Sequence, residues 1–137
     1  MPETARVLIV EADQSVRRRL FKALLDLQVY SDSAGGGAEA IAHFTSREYG
    51  VVILDLHLED AEAVLEAINK APRDGRPMVI GTGERDMAHE LDADLMQIVI
   101  RKPIALTQFA EVVRSCVEAA PRWRHAPEVQ SDETRTL

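Results

Sequence analysis

A single cysteine, Cys116, occurs in the 137 residues, so an internal disulfide is excluded and a reducing compartment is implied. On the helix where it falls, it is read as a small buried hydrophobe. Aromatic residues make up only 4%, so the core must be aliphatic. No apolar run reaches the roughly 18 residues of a membrane span. The start, Met1-Pro2-Glu3-Thr4, lacks the basic region of a signal peptide. A soluble, cytoplasmic chain that does not engage a membrane is expected. Positive charge is also short. The net charge of -7, the pI near 5.1 and the lack of a basic stripe with interleaved aromatics argue against direct nucleic-acid binding. None of the four histidines has a partner at metal-ligand spacing, and their side chains are read as solvated surface. The Gly35-Gly36-Gly37 triplet is followed by Ala38-Glu39 rather than the Gly-Lys-Ser/Thr ending of a phosphate loop, so it is read as a flexible turn.

What is present is an ordinary globular balance, 46% hydrophobic and 28% charged, in a length that suits one domain. The chain centres on Val51-Val52-Ile53-Leu54-Asp55, four branched apolar residues closed by one carboxylate. Such a run suits a parallel strand covered on both faces. Arg6 to Val10 is a similar strand that ends in Glu11-Ala12-Asp13, and Asp13 is a good N-cap for an amphipathic helix from Gln14 to Leu27. Val29 to Ala34 reads as a polar edge strand, and a helix follows from Ala38 to about Ser46. Acidic Glu59-Asp60-Ala61-Glu62 opens a helix that stops before Pro72. Pro72 to Pro77 is a plain loop, then Met78 to Gly81 a strand leading to Thr82-Gly83. A polar helix from about Glu84 to Leu91, a strand from Gln97 to Arg101 closed by Lys102-Pro103, and a last helix from Leu106 to Ala119 complete the pattern.

Five strands alternating with five helices predict an α/β fold, a flavodoxin-like, doubly wound, five-stranded parallel sheet. Residues 1–120 form the domain. Residues 121–137 are rich in charge, with Trp123 as their one hydrophobic handle, and are expected to be a disordered tail. A chain ending at Ala120 should therefore melt at nearly the temperature of the full chain. A large drop in thermal midpoint would show that Trp123 or its neighbours pack on the domain.

The ends of strands one, three, four and five collect Glu11, Asp13, Asp55, Thr82 and Lys102 at one rim. Carboxylates for a hard cation, a point positive charge and a hydroxyl donor are equipment for handling a phosphoryl group. Here the chain resembles the receiver domain of two-component response regulators, from about Arg6 to Ala120. The likeness lies in Val7 to Glu11 with Ser15-Val16-Arg17-Arg18, in the strand ending at Asp55, in Pro77 to Thr82, and in Lys102-Pro103. The resemblance implies that Asp55 accepts phosphoryl from a histidine kinase or phosphotransfer protein. It further implies that Thr82 swings toward the phosphate, that Lys102 pairs with it through a cis Lys102-Pro103 bond, and that Glu11, Asp55 and the His57 backbone carbonyl serve a Mg²⁺ site.

Several positions depart from that pattern. Ala12 stands where the family places a direct metal-binding carboxylate, so Mg²⁺ binding should be weak or absent. Glu59 and Ala63 replace a proline and a glycine, Val99 replaces an aromatic, and the segment between Thr82 and Lys102 is short. The expected function is a single-domain response regulator, not an enzyme, signalling through a downstream protein target, with homodimerisation left open. The alternative is a phosphorylation-independent interaction module. A phosphohydrolase of the haloacid-dehalogenase kind is the weakest rival, since His57 stands where that family has a second aspartate. The output face is expected on the fourth helix, fifth strand and last helix, with charge reversals at Arg114 and Glu118 as its test.

Overall fold

The computed structural model describes residues 6–84, 86–87 and 96–119. The expected tail, with Trp123, lies outside the described residues, as does the expected helix from Glu84 to Leu91 apart from helical residues at Asp86 and Met87. Five strands, β1 (Val7–Val10), β2 (Ser31–Ala34), β3 (Val51–Asp55), β4 (Met78–Gly83) and β5 (Met96–Arg101), form one parallel sheet in the order β2-β1-β3-β4-β5. Helices α1 (Gln14–Leu25), α2 (Gly37–Ser46), α3 (Ala61–Lys70) and α4 (Leu106–Ala119) cover its two faces. The fold class is the one expected.

Alternation along the inner strands builds two cores from one sheet. Val7, Ile9, Val51, Ile53 and Ile80 pack with Leu20 and Leu24 of α1 and Phe109, Val113 and Val117 of α4. Leu8, Val10, Val52, Leu54 and Val79 pack on the other face with Ala40 of α2 and Val64, Leu65 and Ile68 of α3. Cys116 is buried in the first core, as its reading required, and burial pushes its thiol pKa up. The core is mainly aliphatic, and among the described residues its fully buried aromatics are Phe109 and Tyr49. Tyr49 donates its hydroxyl to Asp32 Oδ2 at 2.7 Å, so the one polar atom of the ring is satisfied.

Element ends differ from the sequence reading for local reasons. Strand β2 starts at Ser31 rather than Val29 because the chain leaves α1 through Gln28 in the left-handed region, φ 63°. The Val29 amide then donates back to the Leu24 carbonyl, so Val29 closes the helix instead of extending the strand. The loop after α3 is not plain. It contains a 3₁₀ turn at Arg73–Gly75, and Arg76 donates to the Ala71 and Asn69 carbonyls, satisfying the end of α3.

The glycine triplet also has a use beyond flexibility. Helix α2 begins at Gly37, whose amide donates to Asp60 Oδ1 at 3.2 Å, and a Cβ on Gly37 would stand 2.4 Å from that carboxylate. Glycine lets the loop after β3 reach across and cap α2, whose own N-cap, Gly36, has no side chain to do so. We expect Asp60→Ala to lower stability by about 1 kcal/mol, as a urea midpoint shift with unchanged slope.

Candidate functional site

The register of the sheet assembles the site. Val10 pairs with Leu54 and Asp55 pairs with Thr82, so Glu11, one residue past β1, comes beside Asp55 at the point where strand order reverses. Thr82 lies in β4 opposite Asp55. Lys102 leaves β5 with its amide donating to the Gly83 carbonyl at 3.2 Å, and the Lys102-Pro103 bond is cis. Glu11, Asp55 and Thr82 are no more than 2% exposed, although each carries a polar side chain.

Lys102 Nζ joins them. It donates to Asp55 Oδ1 at 3.0 Å and stands 3.3 Å from Glu11 Oε1. The second contact has the distance of an ion pair without the directionality of a hydrogen bond, and Glu11 Oε1 has no hydrogen-bond partner. Asp55 Oδ1 also accepts from the His57 amide at 3.0 Å, and Glu11 Oε2 accepts from the Asp13 amide at 3.1 Å.

These contacts divide the charge of the pair. Burial pushes the Asp55 pKa upward, but the Lys102 ammonium and the His57 amide outweigh it and hold Asp55 below the usual carboxylate range. Burial dominates at Glu11 and raises its pKa, with the Asp55 charge adding to the rise. Burial opposes the Lys102 charge too, yet the two carboxyls hold its pKa above the ordinary lysine value. Asp55 thus keeps the anion, and Glu11 is the more readily protonated.

No protein-family model matches the chain, and no curated protein matches it. Solved structures do. The signal receiver domain of a protein described as a Luxo repressor from Vibrio parahaemolyticus is 27% identical, over 86% of this chain and 93% of that one, with a TM-score of 0.75. A CheY-like response regulator receiver domain from Methylobacillus flagellatus is 21% identical over 83% of this chain and 99% of its own, at a TM-score of 0.72. The chemotaxis response regulator CheY4 of Vibrio cholerae is 17% identical over 83% and 99%, at 0.71. The chain has the receiver fold.

Within this fold, the four rim residues Glu11, Asp55, Thr82 and Lys102 come together, and Asp13 does not join them. Its carboxylate accepts from the Ser15 and Val16 amides and caps α1. The His57 side chain is exposed, as its surface reading expected, and stands at the mouth of the pocket with Nδ1 3.4 Å from Asp55 Oδ1. The Arg17 guanidinium, reaching back from α1, donates to the Glu11 carbonyl at 2.7 Å and fixes the loop carrying Ala12. Neither role has a sequence signal, because each depends on side-chain reach across a loop. Val99 packs partly buried against the second core.

The implied divalent cation fits poorly. Among the described residues, Glu11 and Asp55 alone bring carboxylate oxygens to the pocket, Ala12 brings none, and Lys102 Nζ already sits against both. Among the described residues, no group of three or more His, Cys, Asp and Glu side chains is arranged to hold a metal ion. Mg²⁺ requires near-octahedral oxygen ligation. An ammonium between two buried carboxyls does not leave that arrangement.

Proposed function

We propose that this receiver works in two-component signalling in the cytoplasm, with Asp55 accepting a phosphoryl group from a histidine kinase or phosphotransfer protein and the domain then acting on a downstream protein. The observation that carries this reading is the buried Asp55 held at 3.0 Å by Lys102, with Thr82 paired opposite it in the sheet and its hydroxyl without a hydrogen-bond partner among the described residues. An unpartnered buried hydroxyl is costly, and an incoming phosphoryl oxygen would satisfy it. In the step itself an Asp55 carboxylate oxygen attacks phosphorus, the O–P bond forms as the donor's P–N bond breaks, and the leaving imidazole keeps the electron pair and takes a proton. Lys102 transfers its pairing from the carboxylate to a phosphoryl oxygen, and Thr82 donates to another.

The test is intact-mass spectrometry after incubation with phosphoramidate, a small donor with the same P–N bond. The expected result is slow uptake by the native chain and none by Asp55→Asn. Uptake by Asp55→Asn would place the acceptor elsewhere. The poor fit for a cation favours a second reading, a receiver that acts by contact alone. It predicts no uptake from any donor and unchanged partner binding by Asp55→Asn.

For the output face, the sequence-based choice of Arg114 and Glu118 needs revision. They lie seven residues after Thr107 and Glu111, hence on nearly the same side of α4, and Thr107 and Glu111 line a groove shared with α1. Arg101→Glu, on the exposed end of edge strand β5, is the better probe of the face beside that strand.

A further inference from the structure

Helices α1 and α4 cover the same face of the sheet, and where they part they leave an open groove of about 410 Å³. Its floor is small and apolar, with Ala23 from α1, Leu27 just past the end of that helix, and Leu106 and Ala110 from α4. Its walls carry Arg19 and Lys22 on one side of the charge balance and Asp26 and Glu111 on the other. On α1 the order matters. The two cations come first along the helix and the acid one turn later, so the patch has a positive end and a negative end.

We propose that this α1/α4 face binds a second copy of the chain as an isologous dimer. A two-fold axis lying in the plane of the patch and crossing α1 reverses α1 against its copy, which lays Arg19 and Lys22 of one chain over Asp26 of the other, twice. Equal numbers of both signs on one patch are complementary to that patch itself, whereas a partner of a single charge would meet like charge at one end. In a chain of net charge -7, a patch with no net charge is also where two copies repel least. The Lys22–Asp26 contact within the chain, 3.3 Å with both side chains largely exposed, does not oppose this, because exposed i,i+4 pairs are weakly held and exchange partners readily. A stable interface covers about 800 Å² per partner. The exposed stripe Thr107, Glu111, Arg114 and Glu118 extends the groove along α4 toward that size. The dimer is independent of phosphorylation at Asp55.

Analytical ultracentrifugation of the full chain tests the proposal with two reciprocal variants. Arg19→Glu with Lys22→Glu makes the patch acidic, and Asp26→Lys with Glu111→Lys makes it basic. The native chain should self-associate, and each variant alone should weaken association at least about tenfold. An equimolar mixture of the two should form a heterodimer as tight as the native one. Circular dichroism melts confirm that both variants fold. A native chain that stays monomeric at the highest concentration reached, variants that dimerise as well as the native chain, or a mixture that fails to associate would each overturn it.

Discussion

Replacing Ala12 with aspartate is expected to turn a slowly modified chain into one that takes up a phosphoryl group readily from acetyl phosphate with Mg²⁺. Ala12 is exposed on the loop between β1 and α1, next to Glu11, so an aspartate is admitted there without a packing cost. Arg17 holds the carbonyls of this loop, so the new carboxylate is presented on a fixed backbone. With Glu11 and Asp55 it makes three acidic groups where the native pocket has two, and a third anion shifts the balance from the single Lys102 charge toward a divalent ion. Even changes outside the direct ligands alter metal affinity by about 10–100-fold, so a direct ligand should do at least as much. Uptake in Ala12→Asp should depend on Mg²⁺, vanish in Ala12→Asp with Asp55→Asn, and be read by intact mass. Rapid uptake by the native chain would mean that Glu11 and Asp55 already suffice. Failure of Ala12→Asp would point to the loop after Asp55, where Glu59 and Ala63 stand, as a further disabled part.

Much of the fold was legible because it rests on short-range patterns. Runs such as Val51 to Leu54 have few options other than a buried strand, and α4 matches its expected limits because Phe109, Val113 and Val117 recur at helical spacing up to Ala119. The rim was legible for a related reason. In a parallel sheet every strand delivers its last residue to the same edge, so Asp55, Thr82 and Lys102 could be placed together from strand ends alone. What was hidden depends on distant pairs. The Asp60 to Gly37 bond spans 23 residues, and only the folded chain brings a carboxylate to where a Cβ on Gly37 would stand. The Tyr49 to Asp32 bond, 17 residues apart, likewise explains a buried aromatic that composition gave no reason to expect. At the site, residue types pointed to a metal, whereas the geometry gives the place beside both carboxyls to Lys102. Sequence tells which charges meet, and the distances tell which of them is already neutralised.

That neutralisation makes Lys102 the residue whose loss should cost the most. Lys102→Met keeps most of the stem's volume and removes the only cation in contact with Glu11 and Asp55 among the described residues. Breaking a buried pair by deleting one partner leaves an uncompensated charge, so a loss of about 3 kcal/mol is expected at neutral pH. The pH dependence gives the sign. In the native chain Asp55 is held below its ordinary pKa, so its contribution is present above the unfolded carboxylate value and fades as pH falls through the folded one. Glu11 is raised, so its contribution is full below the unfolded value and fades as pH rises through the folded one. Without Lys102 the main force lowering Asp55 is gone, and burial raises both carboxyls. The variant should then become more stable as pH falls from 7 toward 5, where one carboxyl can stay protonated and share its hydrogen with the other. The native chain should change in the same direction but less, through Glu11 alone. Urea unfolding at several pH values reads both slopes, and adding Asp55→Asn to Lys102→Met should recover much of the loss at pH 7. If Lys102→Met were as stable as the native chain at pH 7, with the same pH slope, the lysine would not be the charge that holds these carboxyls together.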